Sequence, residues 1–173
     1  SKMQATMGKV IGVSKQGLSK KQPESPIGNF MADAMKAGAE KLFNKKVDAA
    51  FVNYVGVRSS FPKGDITIGL VYELMPFDNL VVLQQLSGTL LQQLLDKTAI
   101  DGGWPIAGIS MEIKDKKAVK VLIAGKLLDP VATYTIANSD YVANGGSDCP
   151  FLKPIPQENK GYTLRDALID QIQ

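Results

Sequence analysis

Three short segments carry the side chains best suited to chemistry: Asn53 to Arg58, Pro76 to Asn79 and Asp140 to Asp148. Between them they offer two amides (Asn53, Asn79), an arginine (Arg58), two aromatic rings (Phe77, Tyr141) and a carboxylate (Asp148) beside a Gly-Gly pair. Such a set suits a flat, anionic ligand. Rings present a π-face, the arginine fork matches a planar anionic group, and amides both donate and accept. What is missing is equally informative. The 173 residues contain no histidine, which excludes His-based acid–base catalysis, Ser-His-Asp triads and His-ligated metals from this chain alone. One cysteine, Cys149, excludes an internal disulfide framework and any multi-Cys zinc site. No G-x-x-x-x-G-K-[ST] or G-x-G-x-x-G loop is present.

Other candidate groups read as structure. Asp65, Glu73 and Asp78 are scattered rather than clustered at metal spacing. Lys114, Lys116, Lys117 and Lys120 decorate a solvated hairpin, and Trp104, beside Gly-Gly and Pro, covers core. Cys149 has no base near it in sequence and is not a nucleophile. The net charge of +3 is too small to argue for nucleic acid. No apolar stretch reaches the roughly 18–20 residues that span a bilayer. The chain opens on Ser1-Lys2-Met3-Gln4, with neither an initiator Met nor a signal-peptide core, as a processed or trimmed product would.

The elements that must position these segments follow from periodicity. Strands are predicted at Lys9–Val13, Val47–Val52, Leu80–Leu86, Ile109–Ile113, Val119–Ile123 and Tyr134–Ala137. Ser25-Pro26 caps a helix running to about Phe43, Thr67 a short one to about Leu74, Ser87-Gly88 one through Leu95, and Thr163 the last, to Ile172. Gly17–Pro23, Asn53–Gly64, Met75–Asn79, Asp101–Pro105 and Asn144–Asp148 read as loops. The economical architecture is α+β: a single domain with mixed β-sheet structure and flanking helices.

Six motifs in order then resemble the C-terminal, substrate-binding domain of the 5'-nucleotidase family, which includes UDP-sugar hydrolases and ecto-nucleotidases. Glu24-Ser25-Pro26-Ile27-Gly28-Asn29 with Ala32-Asp33-Ala34 resembles the family's E-x-x-L-G-N-L-x-x-D-A helix. Asn53-Tyr54-Val55-Gly56-Val57-Arg58 resembles N-G-G-G-I-R, and Gly64-Asp65-Ile66-Thr67 matches G-D-I-T. Pro76-Phe77-Asp78-Asn79 resembles P-F-G-N, Leu86-Ser87-Gly88 matches L-x-G, and Ala143-Asn144-Gly145-Gly146 matches A-N-G-G.

The resemblance implies a division of labour. A metallophosphoesterase domain with a divalent metal pair cleaves the phosphate ester, and this domain binds the nucleotide or nucleoside. It implies that residues 1–173 are the binding half, with no cofactor of their own, and that the metals sit in another domain or chain. An excised domain and a natural split both satisfy it. By the same resemblance the substrate-binding residues are Asn53, Gly56, Arg58, Phe77, Asn79, Tyr141 and Asp148, with Phe77 and Tyr141 stacking the base. A periplasmic or extracellular location is implied too. The chain departs from the pattern in four places. The family's arginines just before Glu24 are absent, and Lys20 or Lys21 could substitute only as point charges. Tyr54-Val55 replaces two glycines. Asp78 replaces another and, as an aspartate, tolerates left-handed backbone. Ser147-Asp148 moves the acidic residue by one position. The alternatives are a non-catalytic nucleotide-binding module, or an interaction domain that has lost the site.

Overall fold

A computed structural model describes residues 7–15, 25–53 and 60–173. Five Ser or Thr residues each open an α-helix, accepting a backbone N–H inside the first turn and so satisfying a donor that the helix leaves orphaned. Ser25 accepts from Gly28 (3.0 Å) ahead of α1, Pro26–Phe43. Thr67 accepts from Leu70 (3.1 Å) ahead of α2, Ile68–Leu74. Ser87 accepts from Leu90 (3.1 Å) ahead of α3, Gly88–Ile100. Ser139 accepts from Val142 (3.2 Å) ahead of the single turn α4, Asp140–Ala143. Thr163 accepts from Asp166 (3.0 Å) ahead of α5, Leu164–Ile172.

The strands are β1 (Val10–Ser14), β2 (Ala49–Phe51), β3 (Gly64–Thr67), β4 (Leu80–Ser87), β5 (Ile106–Ala107), β6 (Ile109–Lys114), β7 (Lys117–Ile123), β8 (Lys126–Leu127), β9 (Thr133–Ser139) and β10 (Gln157–Thr163). They form a two-stranded ribbon β1-β3, a central sheet β10-β4-β9-β2-β5, and a meander β6-β7-β8. Within the central sheet β2 and β9 run parallel and the other pairs antiparallel. This is the expected α+β domain with mixed sheet structure.

Both faces of the central sheet are covered, so its inner strands are apolar almost throughout. Ala50, Val81, Leu83 and Ala137 meet Ile27, Met31 and Met35 of α1 and Leu164 and Leu168 of α5. Phe51, Leu86 and Ile136 meet Leu91, Leu94 and Leu95 of α3, with Trp104 and the meander's Val121 and Ile123. Trp104 is core, as expected, with its indole N–H on the Asp101 carboxylate (2.9 Å).

Three elements differ from expectation. Gly64 begins β3 rather than ending a loop, because β1 supplies its partner, pairing Ser14 with Gly64 and Val13 with Asp65. Gln157–Thr163, which carries no apolar alternation, becomes the edge strand β10 through backbone pairing with β4, interrupted by an irregularity between Asn159 and Thr163. Asp140–Ala143, for which no helix is predicted, winds into one helical turn. The β6–β7 hairpin turns at Asp115-Lys116, both left-handed (φ 52° and 61°), as a two-residue type I′ connection demands.

The glycine of Leu86-Ser87-Gly88 has a steric reason. A Cβ on Gly88 would lie 1.9 Å from the carbonyl oxygen of Asp129. Gly88→Ala should therefore destabilise, although Ala is ordinarily the better helix former by about 1 kcal/mol. Ser87→Ala should cost about 1 kcal/mol through the lost cap, lowering the melting temperature by about 2–4 °C. Thermal melts followed by circular dichroism check both, with Gly88→Ala the larger loss.

Candidate functional site

The register of three adjacent strands gathers the chemistry-bearing segments at one end of the central sheet. Val81 pairs with Ser139, so the turn entering β4 and the residues leaving β9 lie side by side. The Asp140 carboxylate fastens them, with Oδ1 accepting from the backbone N–H of Leu80 (3.0 Å) and of Tyr141 (3.0 Å). On the other side of β9, Ala50 pairs in parallel with Ala137. Continuing that register carries Asn53 level with Asp140, and the parallel pairing makes both segments leave the sheet at the same end.

Phe77 and Tyr141 stand at this end with 43% and 52% of their surfaces exposed. The other exposed aromatic among the described residues, Tyr72, lies beneath the Arg165 guanidinium, 4.2 Å from its ring centre. The Tyr141 ring is held from below. A Cβ on Gly146 would lie 2.5 Å from the Tyr141 carbonyl oxygen and 2.6 Å from the ring, and the Gly146 N–H donates to that carbonyl (2.8 Å). Only a bare backbone fits there, which gives the second glycine of the A-N-G-G motif its physical role.

The remaining expected residues have distinct surroundings. Asn53 is buried, with 6% of its surface exposed, and its Nδ2 donates to Ser147 Oγ (3.1 Å). Its amide thus braces the glycine loop. Asn79 is half-buried, and its carbonyl accepts from the Leu164 N–H (2.9 Å). Asp148 is exposed, and both it and Ser147 are left-handed (φ 59° and 54°). Asp78 is not left-handed: the aspartate does not reproduce a glycine conformation but pairs with Arg165. Gly56 and Arg58, like Tyr54 and Val55, lie outside the described residues.

Asp140, Gly146, Ser147 and Arg165 therefore belong to the site's framework, although the sequence marks Gly146 and Ser147 only as motif positions and gives Asp140 and Arg165 no role. Of these last two, Arg165 carried a local signal. It lies in the first turn of α5, where the helix's positive end disfavours a cation, so an arginine there calls for a compensating partner.

Among the described residues no three Asp, Glu or Cys side chains gather as a metal would require, and the chain has no histidine. A metal pair does not fit these residues. None of the described helices is long and apolar enough to cross a membrane. One cleft of about 420 Å³ lies among α3, β7 and β8, lined by Gln92, Val121 and Leu128. A second, of about 520 Å³, lies beside Trp104, Ile109 and Met111. Neither of these two clefts is lined by Phe77 or Tyr141.

Residues 10–154 match the family described as the 5'-nucleotidase, C-terminal domain, and the chain belongs to that family. It is 30% identical over 167 residues to the Trifunctional nucleotide phosphoesterase protein YfkN of Bacillus subtilis, covering 87% of this chain and 11% of that protein. It is 34% identical over 137 residues to the 5'-nucleotidase of Vibrio cholerae, covering 74% of this chain and 24% of that protein. In three dimensions it resembles the 5'-nucleotidase precursor from Thermus thermophilus, with a TM-score of 0.87 at 26% identity, covering 99% of this chain and 38% of that one. The chain thus spans well under half the length of each of these proteins.

Cys149 closes the glycine loop. Its N–H donates to the carbonyls of Gly145 (3.3 Å) and Gly146 (3.2 Å), and the residue is fully buried. Burial, with Asp101 and Asp148 adding to it against Lys97, pushes the thiol up to about 11. Because the unfolded thiol ionises first, near 9, this group's contribution to stability is present below pH 9 and is lost as the pH rises towards 11. Native protein at pH 8 should react with a thiol reagent only as fast as it opens. Cys149→Ala should flatten the stability decline between pH 9 and 11. Labelling kinetics and denaturant melts across that range check both.

Proposed function

We propose that the chain is the substrate-binding domain of a 5'-nucleotidase-type phosphohydrolase, stacking a nucleobase between Phe77 and Tyr141. Under this reading Arg58 meets the phosphate, and Asn53, Gly56, Asn79 and Asp148 surround the sugar and base. The divalent metal pair belongs to a separate metallophosphoesterase domain or chain, since the donor set here suits none. The periplasmic or extracellular setting implied by the resemblance is part of the same proposal.

One observation carries the reading. Strand register places two exposed aromatic rings, from segments 64 residues apart, at the same end of one sheet. Exposed Phe and Tyr at one end of the sheet, each on a braced backbone and neither named in the two core clusters, are better explained by a planar ligand than by core packing. The exposure of the rings themselves suits a domain that presents its ligand to a second catalytic body.

Stacking is worth roughly 1–3 kcal/mol per base and tolerates every base. Phe77→Ala and Tyr141→Ala should each weaken adenosine binding about fivefold to a hundredfold. Tyr141→Phe should be nearly neutral. Gly146→Ala, which forces the ring aside, should cost nearly as much as Tyr141→Ala. Uridine should bind about as well as adenosine, and ribose phosphate poorly. Calorimetric titration of folded variants checks the set, and parental affinity in both alanine variants would contradict the clamp.

A second test concerns the division of labour. The isolated chain should not turn over AMP with Mn²⁺, Zn²⁺ or Co²⁺ at enzyme-like rates. Supplying a separate metallophosphoesterase partner should restore nucleotide hydrolysis, and Arg58→Ala should diminish the gain. A binding module or interaction domain would leave the partner's rate unchanged.

A further inference from the structure

We infer that Arg165 and Asp78 form a latch that fixes the Phe77 wall of the clamp, an inference that rests on Phe77 being a base-stacking wall. The turn Met75–Asn79 has no regular secondary structure of its own, yet it must hold an exposed ring in one orientation. Arg165, with only 9% of its surface exposed, provides the hold. Its Nη1 reaches the carbonyl oxygens of Met75 (3.5 Å) and Pro76 (3.4 Å), the two residues before Phe77. Its Nη2 pairs with the carboxylate of Asp78, the residue after it. Its guanidinium plane covers Tyr72 on α2, 4.2 Å from the ring centre. Beside it, the Leu164 N–H donates to the Asn79 carbonyl (2.9 Å). One side chain thus grips the turn on both sides of Phe77, and the start of α5 closes it at Asn79.

The chemistry of each partner fits that role. A cation in the first turn of α5 opposes the helix dipole, so Arg165 is not there for the helix. The Asp78 carboxylate is 85% exposed, so the pair contributes little to global stability. What the pair does is restrict one turn. Only a planar fork satisfies two carbonyls, a carboxylate and an aromatic face together; a lysine offers a single point of charge. Arg165 is a positioning residue: its contacts are with the turn that carries the wall and with Tyr72.

The test uses Arg165→Met, Arg165→Lys and Asp78→Asn, the last at an exposed side chain where the fold is not at stake. Two readouts are needed, adenosine affinity by calorimetry and amide hydrogen exchange over residues 75–79. All three variants should speed exchange in the turn while leaving α1 unchanged. They should weaken adenosine by about threefold up to the full Phe77→Ala loss, and Arg165→Lys should not rescue. Added to the double variant Phe77→Ala with Asn79→Ala, none should weaken binding further, because the latch acts only through this turn. If Phe77→Ala weakens binding while Arg165→Met and Asp78→Asn bind and exchange like the parent, the latch is overturned. If the combined variants lose more than Phe77→Ala with Asn79→Ala, the pair acts elsewhere and the latch is again overturned. If the parent does not bind adenosine, the stacking reading falls, and the latch falls with it as a device of the clamp. Exchange then reports only whether the pair restrains the turn.

Discussion

The junction of one parallel and one antiparallel pairing on β9 is the constraint on which the site depends. β9 is flanked by β4, running against it, and by β2, running with it. The entry to β4 and the exits from β2 and β9 therefore fall at one end of the sheet. These directions bring Asn53, Phe77 and Tyr141, which are distant in sequence, to the same end of the sheet. A one-residue slip would turn every alternate side chain to the opposite face. The two cores resist it: Ala137 belongs to one and Ile136 to the other.

Around that junction, polar contacts brace Asn53, the Pro76–Asn79 turn and the Asp140–Asp148 segment. The Asp140 carboxylate joins the start of β4 to the turn after β9. Asn53 reaches across to Ser147 in the glycine loop. Gly146, with no Cβ, lets the Tyr141 ring pack close against the backbone. Arg165 ties the Pro76–Asn79 turn to α5. These bonds are individually modest. Their common effect is preorganisation: rings held in place before a ligand arrives forfeit less entropy on binding.

Much of this was legible in the sequence, and what was not has physical causes. Helix starts were readable because capping is local: Ser25, Thr67, Ser87 and Thr163 each bond within three residues. The strands β4, β7 and β9 were readable because they carry apolar residues of the core. β10 was not, because a polar edge strand is held by its neighbour's backbone rather than by its own side chains. The site's rings and amides stood out as motifs. Their supports did not, since Asp140 acts on Leu80 and Arg165 on Asp78 across long separations. Asp78 shows the limit of reasoning by substitution: its carboxylate makes a new bond instead of imitating the backbone freedom of glycine.

The central claim, that the converged rings enclose a base, is tested most directly by nuclear magnetic resonance of the protein with adenosine. Intermolecular Overhauser contacts from the adenine H2 and H8 protons should reach the rings of both Phe77 and Tyr141, with the adenine signals shifted upfield by ring currents. Contacts confined to the cleft beside Trp104 and Met111, or reaching neither ring while adenosine binds, would contradict the account.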